Sequence, residues 1–195
     1  MTLFFEEKSF RTAQLAFIKV KDDIPEASRL AINRTIDSIY TNTPKEILKV
    51  YAIKGQGGST TFIKKSMKKI KAGKFEVGGK LTISSRRLTL PAHFKVSPSK
   101  RQQNPKVKVT IFKGKQKEVV TEPKAFIGNM RNGTTQVMKR QGKGRYPVVV
   151  LRTLTIPQMA TNEEVYPNIQ ENAQKVFRDR LVHETSRMLR KVGFK

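Results

Sequence analysis

Apolar positions fall along this chain in two rhythms, helical at both ends and alternating in the middle. Near the start, Phe10, Ala13, Phe17 and Val20 recur at helical spacing, with Leu3 and Phe5 ahead of them. Residues 1–21 therefore read as an N-terminal arm or helix whose stripe serves core packing or docking. Asp22-Asp23-Ile24-Pro25 then punctuates the chain. Proline suits the first turn of a helix, and acidic side chains favour the positive end of its dipole. The pattern predicts a helix to about Ile39, with Ile32, Ile36 and Ile39 on one edge and Ala27, Leu30 and Ala31 widening it. Thr43-Pro44 repeats the signal and predicts a second helix from Lys45 to about Ile53.

A third helix is expected to start at Ser59 or Thr60, with Ser59 as its cap. Ile63, Met67 and Ile70 would share one face, and Lys64, Lys65, Lys68, Lys69 and Lys71 the other. From Lys74 to Val120 the rhythm shortens to that of strands. Leu81 and Ile83 alternate with polar neighbours, Leu88, Leu90 and Phe94 continue the spacing, and Val107, Val109 and Ile111 alternate with lysines. Ser97 to Pro105 reads as an exposed loop.

The stretch 125–157 predicts two facing strands, a basic loop and a third strand. Asn132-Gly133, between Phe126-Ile127 and Val137-Met138, signals a tight hairpin turn, because both residues accept positive φ. The loop that follows sets Lys139, Arg140, Lys143 and Arg145 beside Gly142 and Gly144. Val148-Val149-Val150-Leu151, bracketed by Pro147 and Pro157, reads as a buried strand. Thr161 and Glu164 have capping-box spacing. They predict a long closing helix to about Val192, with Ile169, Ala173, Val176, Phe177, Leu181, Met188 and Leu189 as its apolar stripe. Helices early and late with strands between predict an α+β fold. Its antiparallel or mixed sheet would be packed by an early helix pair and the long C-terminal amphipathic helix. Residues 22–195 read as one domain with a basic middle region over 60–120.

Charge adds the largest constraint. Lys and Arg number 40 against 15 Asp and Glu, a formal net charge of +25. Between Thr60 and Val120 the only acids are Glu76 and Glu118. A field of that sign favours a polyanionic partner. The mean hydropathy is −0.50, and no apolar run approaches the roughly 18 residues of a membrane span. The opening residues Met1 to Glu7 lack a basic start and a cleavage site, so export through a signal peptide is not expected. There is no cysteine, which excludes disulfides and cysteine-ligated zinc.

Catalytic patterns are missing. His93 and His183 stand alone in sequence without metal-ligand spacing. Lys54 to Thr60 lacks the Gly-Lys-Ser/Thr ending of a phosphate loop. Glu122-Pro123-Lys124 resembles the tail of a nuclease motif without its upstream Asp. No catalytic, cofactor or metal site is expected. The candidate contacts to DNA or an acidic partner are Lys64, Lys65, Lys68, Lys69, Lys139, Arg140, Lys143 and Arg145. Composition alone also fits a free, sequence-independent nucleic-acid-binding protein; a nuclease or toxin is a third class, for which the acid-poor middle does not supply the converging carboxylates.

The order of several short motifs resembles the phage and prophage minor tail protein Z family. They are Ala31-Ile32-Asn33-Arg34, the lysine-rich segment, Arg86-Arg87-Leu88-Thr89-Leu90-Pro91, Ala125-Phe126-Ile127, Asn132-Gly133, Val137-Met138-Lys139-Arg140 and Arg145-Tyr146-Pro147, ahead of a closing amphipathic helix. The resemblance implies a structural protein of a long-tailed phage, acting in tail completion at the head-proximal neck. It implies a compact α+β body working in a homo-oligomeric ring. Its partners would be the tail terminator, tail tube and connector proteins and phage DNA, with no membrane. The protein would sit in the virion tail after assembly in the host cytoplasm.

Overall fold

Helix α1 runs unbroken from Glu7 to Val50 in this computed structural model. The model describes residues 7–191 except 56, 74–77, 101 and 103–105, with side chains from residue 24 onward. Leu3, Phe5 and Gly193 lie outside that range, as do the side chains of Phe10, Ala13, Phe17 and Val20. The early helix pair expected from Pro25 and Thr43-Pro44 is thus one helix. An interior proline costs about 3 kcal/mol through its missing N–H and ring clash. Here Thr43, Pro44, Ile47 and Tyr51 are all buried. Burying one large apolar side chain contributes about 1.5–3 kcal/mol, so the packing outweighs the break.

The chain gathers into two compact units. Unit 1 comprises Met1–Tyr40, Lys69–Leu81 and Gln170–Lys195; unit 2 comprises Thr41–Lys68 and Thr82–Ile169. In unit 1, α1 packs against the long closing helix. Among the described side chains of α1 that belong to unit 1, Ala27, Ala31 and Ile36 are the buried apolar ones, and Ser38 Oγ meets Asn172 Oδ1 at 3.5 Å. Asn33 makes two bonds to the backbone of Ala72: its Nδ2 donates to the carbonyl at 3.1 Å, and its Oδ1 accepts from the N–H at 2.8 Å. Gly79 lies so close to α1 that a Cβ there would stand 2.3 Å from Ile36 Cδ1. Asp37 accepts from Lys69 Nζ at 2.7 Å and Lys71 Nζ at 2.9 Å. Those bonds, Lys69 first, hold its carboxyl below the usual range.

The third helix also departs from expectation. α2 covers only Ser59–Lys65, and β1 (Met67–Ile70) follows and pairs with β2 (Lys80–Ile83). Ser66 ends the helix: its N–H and its hydroxyl both donate to the Ile63 carbonyl, at 3.0 and 2.6 Å, and its own carbonyl accepts from Ser84 N at 2.8 Å. The Ile63, Met67, Ile70 spacing fits a helix, but strand pairing claims the second half. Ser59 does not cap α2 either, since its hydroxyl donates to the Ile53 carbonyl at 2.6 Å.

Unit 2 holds the larger core and two antiparallel sheets. After the short α3 (Leu90–His93), β3 (Lys95–Ser97), β4 (Lys108–Phe112) and β5 (Lys115–Glu118) lie in that order. Leu88, Leu90 and Phe94 are buried as expected, but from a loop, α3 and its C-cap rather than from a strand. The second sheet is β6 (Phe126–Asn129), β7 (Thr135–Arg140) and β8 (Val148–Val150). Phe126 pairs with Met138 and Ile127 with Val137. The turn is wider than a two-residue loop: Gly133 N donates to Met130 O at 2.9 Å, and Met130 N to Thr134 O at 2.9 Å. Arg131-Asn132-Gly133 thus form a three-residue loop with Gly133 at φ 76°. β8 is a sheet edge, not a buried strand, and Val149 is 37% exposed.

α4 (Ile156–Ala160) carries the capping box, on Thr155 and Gln158 rather than on Thr161, which closes α4 at its C-terminus. The long helix α5 (Tyr166–Lys191) starts later, with Asn162 Oδ1 accepting from Glu164 N at 2.8 Å just ahead of it. The fold is α+β.

Three substitutions test this account. Asn33→Ala leaves the Ala72 backbone groups unpaired and is expected to lower stability by about 1–3 kcal/mol in urea unfolding. Gly133→Ala forces a side chain into the left-handed region and is expected to cost about 1–2 kcal/mol. The Asp37 contribution is present above the unfolded carboxylate value of about 3.9 and lost as pH falls through the lower folded value. The melting-temperature gap between the protein and Asp37→Asn should therefore be open at neutral pH and narrow as pH falls below the unfolded value of about 3.9.

Candidate polyanion-binding surface

The β6-β7-β8 sheet has two unlike faces, because side chains alternate along a strand. Ile127 and Val137 share the face turned into the core, at 2% and 0% exposure. Phe126, Gly128, Met138, Arg140 and Val148 share the other. On that second face lies a groove of about 440 Å³, lined by these residues, by Ile127 and Asn129 between them on β6, and by Met130, Arg131, Arg145 and Tyr146 from the flanking loops. Its lining includes three arginines, and among the described residues that line it none is Asp or Glu. Arg140 sits over the Phe126 ring at 5.7 Å and Arg145 over the Tyr146 ring at 5.8 Å. A guanidinium laid on a ring keeps its in-plane N–H groups for a carboxylate or phosphate.

The expected loop cluster is therefore split by the pleat. Arg140 and Arg145 converge on the groove. Lys139 lies opposite Val149 and points to the other face, and Lys143 is exposed in the connecting loop. Arg131 completes the set, and the sequence pattern does not single it out: it lies inside the Asn-Gly turn, and the three-residue turn that aims it is wider than the two-residue turn the Asn-Gly pair signals.

The lysine cluster is divided as well. Lys64 and Lys65 belong to the last turn of α2, while Lys68 and Lys69 belong to β1. Unit 2 ends its first segment at Lys68 and unit 1 resumes at Lys69. Lys69 is already engaged by Asp37 and lies 4.5 Å from the Tyr40 ring centroid.

Neither histidine joins a cluster. The His93 ring stacks on Phe62 at 4.6 Å, with Nδ1 3.4 Å from Lys54 O, and His183 is exposed on α5. No group of three or more His, Cys, Asp or Glu side chains that could hold a metal occurs among the described residues. The surface offers cationic donors and apolar floor, a chemistry of anion capture.

Comparison with known proteins gives one match. The profile of the family Prophage minor tail protein Z (GPZ) fits residues 12–194. No curated protein and no solved structure matches the chain. No helix among the described residues is long and apolar enough to cross a membrane. The matched span takes in α2 to α5, every strand and most of α1, and by it the chain belongs to the prophage minor tail protein Z family of structural phage tail proteins.

Proposed function

We propose that this protein completes the phage tail at its head-proximal end, as a non-catalytic ring subunit at the neck. Its neighbours there are the tail terminator, the tail tube and the connector. Its cationic faces meet DNA phosphate in the conduit or an acidic neighbouring subunit. The observation that carries this reading is the charge: a tail protein at +25 fits a place where a polyanion passes. In a closed ring that charge repeats about the axis. Lys64, Lys65, Lys68 and Lys69 on one side and Lys139, Arg140, Lys143 and Arg145 on the other are the proposed contacts. Each offers a cation to a phosphate or a carboxylate, and contacts of this kind position a polyanion without reading sequence and weaken with salt.

Two measurements test it. Replacing Lys139, Arg140, Lys143 and Arg145 together by Gln should leave the thermal transition in place and lower infectious titre about tenfold or more. An unchanged titre removes that loop from the mechanism. Labelling the protein in purified particles should place it where tail meets head. A label at the distal tip, or purified particles without the protein, overturns the location.

A further inference from the structure

We propose that the groove on the outer face of the β6-β7-β8 sheet takes an extended acidic segment of a neighbouring protein, which adds itself to the sheet along β8. This rests on the tail reading only in making that neighbour another tail component. Four observations carry it.

The first is charge. Arg131, Arg140 and Arg145 line one groove without a lining carboxylate. Such a site left empty concentrates positive charge, and guanidinium forks match carboxylates bidentately. The second is size. A groove of about 440 Å³ accommodates a few side chains. It falls in the range of roughly 300–1,000 Å³ that holds drug-sized ligands, and it is too small for a duplex.

The third is the state of the rings. Arg140 already covers Phe126, and Arg145 covers Tyr146. A strand of unpaired bases needs such aromatic faces for stacking. Here a guanidinium already lies over one face of each ring, and the floor between them is the aliphatic surface of Met138 and Val148. That mixture suits alternating acidic and apolar side chains.

The fourth is the sheet edge. Leu151 N donates to Val137 O at 2.8 Å, and Gln141 N to Pro147 O at 3.0 Å. By the alternation of an antiparallel ladder, Val148 and Val150 then direct their N–H and C=O groups away from β7. β8 is the last strand of its sheet, so those groups face its edge. A polypeptide can pair with them, and a nucleic acid cannot form that ladder. An added strand would send every second side chain to the arginine face.

The test uses the full chain and a dye-labelled peptide of about ten alternating Glu and Val residues. Binding is followed by anisotropy near 0.15 M salt, where the Debye length is about 8 Å. Saturable binding is expected, and a Lys-Val peptide of the same length should not bind. Arg140→Gln with Arg145→Gln should weaken it about tenfold. Lys115→Gln with Lys117→Gln removes the same charge from β5, far along the sequence, and should change it less than about twofold. Val150→Pro removes one outward N–H from an edge strand, where proline is tolerated. It should weaken binding several-fold while the thermal transition stays put. Equal losses from both double variants, or no peptide binding at all, overturn the proposal. So does an oligothymidylate that binds more tightly than the peptide and is lost through Arg140 and Arg145. A protein that is present at the neck of particles but fails the peptide assay rejects the groove and leaves the tail reading intact.

Discussion

The buried phenol of Tyr51 is the joint on which the larger unit closes. It sits at the end of α1, 1% exposed, with its ring 5.0 Å from Phe112. Around it the chain leaves the helix and enters a sheet edge: Ala52 N donates to Ile111 O at 2.8 Å, and Lys113 N to Val50 O at 2.9 Å. Asn162, in the turn before α5, and Glu164 lie near its hydroxyl. Burial, ahead of the Glu164 charge, pushes the phenol above its usual value and keeps it neutral. One side chain thus packs the end of α1 onto the β3-β4-β5 sheet.

That joint matters because charge works against compaction. Several acids are used locally: Glu26 with Arg29, Glu46 with Lys49, Asp37 with Lys69 and Lys71. Glu184, 7% exposed, meets Arg187 at 2.9 Å, close but poorly aligned for a hydrogen bond. Exposed pairs contribute about 0–1 kcal/mol each. They do not offset the repulsion of a +25 chain. The buried apolar side chains of each unit carry its compact state.

Much of the body was legible in the pattern of residues. The alternation at Val107 and Val109, the facing of Phe126-Ile127 with Val137-Met138, and the long closing helix all follow from local period. The errors share one cause. Local preference points one way at Pro44, at the Ile63-Met67-Ile70 stripe and at Thr161, and packing or pairing decides each the other way. Pro44 is buried, so the helix passes through it. Ser66 gives its carbonyl to Ser84, so a strand begins where a helix could have gone on. Thr155 lies next to Ser85, whose hydroxyl accepts from Ile156 N at 2.8 Å, and the capping box forms there instead.

The candidate surface divides the same way. The sequence by itself determined the sign and density of charge, the lack of cysteine and the alternation that builds the β6-β7 hairpin, because composition and period are properties of neighbours along the chain. Only the tertiary structure decided which cations act together. Pleating sends Lys139 and Arg140 to opposite faces, and the width of one turn brings Arg131 in beside Arg145. Register and turn width are set by long-range pairing, and no local reading of lysines and arginines contains them.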